Sequence, residues 1–306
     1  MKRFLFYILI FACCFLCFVG TCELLVRQIP NDYSVKKNLL EKKHSNIKIL
    51  CLGNSQIYFG INPVFFNKTA FNAAHVSEPL QMSQFILNKF DSGLDSLETI
   101  IISMSIFTPF STWEPGGKGE AWRIKHYHIY YDYPIPWYDI EDRFELSNLN
   151  YNNLIRWKKA LLNPNGIVYS DEMGFGHNYL RYHTKGWENC SDAIRVHTTE
   201  NYSKSPNVEY NRQILQQIIE KHPHVNIIIL TTPCWKTYTE NVDQGQRHYV
   251  EKISSEIADQ YENCIYMNLF EDSRFTAEDF ADSYHLSEAG ACKLTKILNA
   301  FLNDIQ

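Results

Sequence analysis

The chain has 306 residues, enough for one sizeable domain or two small ones, and its 45% hydrophobic and 21% charged residues make an ordinary globular composition. A formal net charge of -5 offers nothing to a polyanion, so nucleic acid is excluded as an expected partner. Nine cysteines with no regular spacing, four of them within the first 22 residues, exclude a disulfide framework and a zinc site.

In chain order, the first element is apolar. After Lys2 and Arg3, the nineteen residues from Phe4 to Cys22 carry no charge, and as a helix they cover about 28 Å, close to the hydrocarbon thickness of a bilayer. The run exceeds the roughly 7–15 apolar residues of a secretory signal and lacks a small-x-small site, so residues 1–26 read as a retained membrane anchor, with a cleaved signal as the alternative. The positive charges lie on the short N-terminal side, which places the rest of the chain outside the cytoplasm. Residues 27–46 include Lys36, Lys37, Lys42 and Lys43 and read as a solvated juxtamembrane tether, a turn followed by a short amphipathic helix.

Beyond Ile47, short apolar runs alternate with helical periods. Strands are expected at Ile47–Leu52, Thr69–Ala73, Leu97–Ser103, Val225–Thr231 and Cys264–Leu269. Helices are expected at Pro79–Phe90, Val208–Lys221, about Gly245–Tyr261 and Ser287–Leu302. Nearly all-apolar strands alternating with helices predict an α/β fold, a three-layer α/β/α sandwich with a mainly parallel sheet covered on both faces, over residues 47–306. Ligands of such sheets bind at the carboxyl ends of the strands. Cys51 and Cys264 fall within strands and read as small buried hydrophobes; a Cys190–Cys234 bridge stays open.

Chemistry enters at two of those ends. The first strand breaks off at Gly53-Asn54-Ser55, which presents a serine hydroxyl at the sheet edge. A serine is nearly inert at neutral pH, so it requires a base, and Asp282-Ser-Tyr-His285 supplies an imidazole with a carboxylate three residues away to orient it. The competing reading makes Asp282 a cap for the last helix and His285 a packed loop residue.

Gly-Asn-Ser-Gln at 53–56 and Asp-x-x-His-Leu at 282–286 resemble the nucleophile and histidine blocks of the SGNH, or GDSL-type, hydrolase superfamily. The resemblance implies a flavodoxin-like α/β domain with Ser55, Asp282 and His285 as catalytic residues, serine acyl-ester chemistry and no cofactor or metal. It also implies oxyanion donors from two further blocks. Ser77 stands near the expected second-block glycine, with Asn72 beside it. The Gly-x-Asn-Asp expected after Ile100–Ile102 is replaced by Ser103-Met-Ser105, which leaves Ser105 as its stand-in.

An insertion at about 107–207 is rich in aromatics and histidine, from Trp113 and Trp122 through Trp137-Tyr138 to Phe175–His183 and Trp187. It serves either as a lid or carbohydrate platform, with Trp122 and Trp137 as substrate contacts, or as a satellite core with its rings turned inward. His126-x-His128 is too slight a pattern for a metal. Asn54 beside the serine, and Trp235 and Tyr238 after the fourth strand, are further candidates for the substrate pocket. The expected function is esterase or O-acyltransferase chemistry on a cell-envelope or surface glycan. The alternative is a non-catalytic binding or assembly protein of the same fold that docks polysaccharide or a membrane partner.

Overall fold

A computed structural model describes residues 1–147, 157–159, 162, 168–177, 183 and 185–305. Tyr179 and Tyr182 of the aromatic insertion lie outside the described residues. The chain forms two compact units, Met1–Val35 with Glu114–Val168, and Lys36–Trp113 with Tyr169–Gln306.

The first unit carries α1, Lys2–Arg27, a helix long and apolar enough to cross a membrane. It also contains α5, Ile124–Tyr131, whose Ile124, Tyr127 and Tyr131 are fully buried. Tyr33 stacks on His126 at 4.8 Å and meets Tyr127 edge-on at 5.3 Å. This part of the aromatic segment is a small core of its own. Trp122 packs edge-on against His126 and under the Arg123 guanidinium, whereas Trp137 is 83% exposed.

The second unit holds one five-stranded sheet, entirely parallel, in the order β2-β1-β3-β4-β5. Its strands are β1 Ile49–Leu52, β2 Ala70–Asn72, β3 Thr99–Ser103, β4 Asn226–Thr231 and β5 Cys264–Asn268. Helices flank it: α3 Ser55–Tyr58, α4 Leu80–Phe90, α6 Ser191–His197, α7 Asn207–Lys221, α8 Lys236–Asn241, α9 Gln244–Ala258 and α10 Glu288–Asp304. Consecutive residues of the central strands, Ile100–Ile102 and Ile227–Leu230, are fully buried, as a sheet covered on both faces requires. Four of the strands begin one or two residues later than the apolar runs do and β5 begins at Cys264 as expected; all five and the four expected helices are present.

The short helix expected within residues 27–46 is present as α2, Asp32–Lys43, but it is not a solvated spacer, because it buries Lys36 and Leu40 one turn apart. The Lys36 ammonium donates to the carbonyl of Ala74 and lies 4.0 Å from the centroid of the Tyr58 ring. A buried ammonium is tolerated where hydrogen bonds and an aromatic face replace its water.

Candidate active site

In the order 2-1-3-4-5 the chain leaves β1 for one neighbour and later returns to the other, so the carboxyl end of β1 is a topological switch point. Gly53 makes the exit there. At φ 131° it takes a backbone conformation that side chains rarely adopt, and a Cβ would come within 2.3 Å of the Ser103 Cβ on β3. Asn54 then starts α3: its Oδ1 accepts from the Gln56 N–H at 3.0 Å, and its carbonyl accepts from Ile57 and Tyr58. Ser55 is the first residue of α3 and is 8% exposed.

The histidine arrives from a tight loop before α10. Ala281 N–H donates to the His285 carbonyl at 3.0 Å and Ser287 N–H to that of Asp279 at 2.9 Å, which closes residues 280–286 into a short antiparallel turn. Ser287 caps α10 by accepting from Gly290 N–H. A Cβ on Gly290 would fall 2.0 Å from the Asp279 carbonyl, so the glycine lets α10 seat closely against this loop.

These elements bring the three sequence candidates together. Ser55 Oγ lies 2.8 Å from His285 Nε2, and His285 Nδ1 lies 2.8 Å from Asp282 Oδ2. An ionised carboxylate only accepts, so Nδ1 carries the hydrogen toward Asp282 and Nε2 is left to accept from the serine hydroxyl. Asp282 Oδ1 also accepts from the N–H groups of Tyr284 and His285, at 3.0 and 2.8 Å. Burial alone would raise the Asp282 carboxyl, but the facing imidazole and these hydrogen bonds outweigh it and hold the group below its ordinary value. Ser287, not Asp282, caps the helix.

A second layer, which sequence reasoning missed, ties the serine turn to the histidine loop. Asn54 Nδ2 donates to Ser105 Oγ at 2.8 Å, Ser105 Oγ donates to Gln56 Oε1, and Gln56 Nε2 donates to the Tyr284 carbonyl at 3.1 Å and toward Cys234 Sγ at 3.4 Å. Beyond it, His197 stacks on Phe107 with ring centroids 4.2 Å apart, meets Tyr284 edge-on at 4.9 Å and bonds Tyr238 Oη through Nδ1 at 2.7 Å. Burial pushes the His197 imidazole down to about 3, with the His285 charge adding to the shift and Asp282 opposing it. His197 ends a helix within the insertion, and nothing in its local sequence marks it.

The remaining expected site residues have the following partners. Asn72 is fully buried with its amide spent on the carbonyls of Ile57 and Ile61, each at 2.8 Å, so it braces α3 and has no hydrogen for an oxyanion. Ser105 likewise gives its one hydroxyl hydrogen to Gln56. Asn54 is committed to the turn and to Ser105. Tyr238 is a core residue, 1% exposed, with its hydroxyl on His197. Cys190 and Cys234 are both free thiols: Cys190 donates to the Thr237 carbonyl, and burial raises the Cys234 thiol. Trp235 is half-buried between Trp187 and Phe280 and donates its indole N–H to Glu188. Ser77 sits in a turn at φ 60°, next to His75, whose N–H donates to the Gly53 carbonyl at 3.1 Å. Neither the Ser55 nor the Ser77 N–H has an acceptor among the described residues. Trp122 and Trp137 belong to the first unit.

No family model matches the chain, and no curated protein matches it. Among solved structures, one from Streptococcus pneumonia, provisionally described as a platelet activating factor, aligns over 94% of this chain and 97% of its own at a TM-score of 0.42 and 14% identity.

Proposed function

We propose that this chain is a serine-dependent acyl-ester enzyme, with Ser55 as nucleophile, His285 as general base and acid, and Asp282 as the group that orients the imidazole. The observation that carries the reading is the continuous Ser55–His285–Asp282 relay, with 2.8 Å at each junction. As Ser55 Oγ bonds to the ester carbonyl carbon, its proton passes to His285 Nε2. That proton then goes to the departing alkoxide as the acyl–oxygen bond breaks, leaving an acyl-serine. Water releases the acyl group as a carboxylic acid, making an esterase, or a sugar hydroxyl takes it, making an O-acyltransferase. The N–H groups of Ser55 and Ser77 are the donors proposed for the tetrahedral oxyanion, since neither has an acceptor among the described residues.

The blocks at 53–56 and 282–286 resemble those of SGNH hydrolases, and the same chemistry is the hallmark of that superfamily. The apolar helix Lys2–Arg27 supports a membrane-anchored protein whose α/β domain faces away from the cytoplasm, and from that position follows the proposal of a cell-envelope or surface glycan as substrate. A non-catalytic binding protein of the same fold is favoured by one observation: the third-block stand-in, Ser105, directs its hydroxyl to Gln56.

The two readings part in a mass spectrum of the full-length protein, held in detergent and incubated briefly with p-nitrophenyl acetate. An acetyl mass on the peptide containing Ser55, absent from Ser55→Ala and His285→Ala, is the expected result. A folded protein that forms no adduct and labels with no fluorophosphonate would leave the binding reading in place.

A further inference from the structure

Between the end of α1 and residues 135–146, the first unit has a chain of polar contacts that the acyl-ester reading does not use. Glu23 is the first charged residue after the apolar run and is 7% exposed. Its carboxylate accepts from the backbone N–H groups of Glu145 and Leu146, each at 2.9 Å, and from the Arg27 guanidinium at 2.6 Å. Arg27 donates in turn to the Arg143 carbonyl at 2.9 Å, and Arg143 Nη2 donates to the carbonyls of Ile135 and Pro136, at 3.0 and 2.8 Å. Three linked sets of hydrogen bonds therefore fasten the loop at 135–146 to one end of α1.

The loop they hold is unlike an ordinary soluble surface. Trp137 is 83% exposed, Tyr138 68%, Ile140 63% and Phe144 42%, within eight consecutive residues. Leu24 and Leu25 on α1, beside Glu23, are 64% and 60% exposed. A soluble domain seldom leaves a cluster of this kind in water, where it marks an interaction surface. Trp and Tyr concentrate at the level of lipid headgroups, because a ring with one polar edge suits a boundary that is apolar on one side and wet on the other.

We infer that the loop at 135–144 lies in the headgroup layer of the membrane that α1 crosses, with Trp137, Tyr138, Ile140 and Phe144 buried in the lipid interface. The inference rests on the reading of α1 as membrane-spanning. A charge at the bilayer centre is costly, so Glu23 marks the place where α1 leaves the hydrocarbon, and the backbone it holds must sit at that depth. The loop carries Asp139, Glu141 and Asp142 against Arg143, so its attraction is to the interface as a dielectric boundary and not to anionic lipid. The occupant is thus a zwitterionic phospholipid surface, and the loop acts as a second, non-spanning contact that limits rotation and tilt of α1.

The test uses full-length protein reconstituted into phosphatidylcholine vesicles, either plain or brominated on the acyl chain near the headgroup. Co-flotation with vesicles after alkaline washing reports on α1 independently of the loop. The expected result is flotation, a fall in tryptophan emission in brominated vesicles, and loss of more than half of that fall in Trp137→Phe but not in Trp235→Phe. Flotation with a fall that Trp137→Phe leaves unchanged would overturn the inference and point to a protein partner or to water at this surface. Failure to float would overturn it by removing the spanning helix on which it rests.

Discussion

Gln56 Nε2 donates to the carbonyl oxygen of Tyr284 at 3.1 Å, so the residue that follows the serine holds the residue that precedes the histidine. The two halves of the relay come from opposite parts of the sequence, and this side chain sets the distance between them. Gln56→Ala removes the tether and leaves Ser105 without its acceptor. We expect acetylation of Ser55 by p-nitrophenyl acetate to slow by about 10- to 100-fold while the fold persists, the scale on which small misplacements of reacting groups act. An unchanged acylation rate would show that backbone packing alone holds the two loops in register.

Asp282→Asn tests the carboxylate apart from the packing around it. The amide can donate where the carboxylate could only accept, which turns the imidazole toward the wrong tautomer. Acylation of Ser55 should fall by roughly 10³- to 10⁴-fold in a variant that remains folded, its lower Tm notwithstanding. Because the native Asp282 carboxyl is held below its ordinary value, its contribution to stability is full above the unfolded value near 3.9 and is lost as pH falls through the lower native one. The carboxylate should therefore stay ionised against the imidazole down to clearly acidic pH.

His197 gives the protein an acid weakness of its own. Its imidazole titrates near 6.5 when unfolded and about 3 when folded, so between those values the unfolded chain binds the extra proton and stability declines as pH falls. At about 1.4 kcal/mol per pH unit the loss approaches 5 kcal/mol at the lower end, an upper bound. Thermal denaturation of wild type from pH 7 to pH 4 should show a steeper loss of Tm than His197→Gln, which keeps a polar group against Tyr238 but cannot titrate. Parallel curves would mean that His197 has no part in the acid slope.

Gly53 is constrained twice, by φ 131° and by the approach of Ser103. Gly53→Ala should cost about 3 kcal/mol or more, read as a fall in the denaturant midpoint, because strain and overlap add. Adding Ser103→Gly removes the closest overlap and leaves the strain and the tight backbone approach, so the double variant should recover part of the loss. Full recovery would assign the whole effect to the clash.

Lys36 occupies a position that an apolar side chain would normally fill, against the Ala74 carbonyl and the Tyr58 ring. Lys36→Ala empties that space and is expected to cost about 2–4 kcal/mol, whereas Lys36→Met keeps the stem, loses the charge and should cost less. If the two variants prove equally destabilised in urea, the ammonium and not its stem provides the stabilisation.

The strands were readable because Ile100–Ile102 and Ile227–Leu230 are buried on both faces, which leaves uninterrupted apolar runs in the sequence. Ser55, Asp282 and His285 could be singled out because each sits at a short local pattern. The supporting layer had no such mark. Gln56 reaches Tyr284 across 228 positions and Ser105 reaches Gln56 across 49, so their roles exist only once the sheet has assembled. The same cause misplaced Asn72, Ser105 and Tyr238: a polar or aromatic residue beside a strand end looks directed to the site, yet each is consumed by backbone or core partners. Lys36 was lost in a run of charges, since composition cannot tell which lysine of a helix faces inward.

The hydroxyl of Ser55 and the imidazole of His285 meet across 230 positions. A ribosome adding roughly 5–20 residues per second takes about 10–50 s to cover that distance. Throughout that time the emerging chain has the serine but not the imidazole that faces it in the folded protein. The contact forms late, once residues 280–286 have been made. A chain truncated before that loop would keep the strand and turn that carry Ser55 and lack both groups that face it in the folded protein.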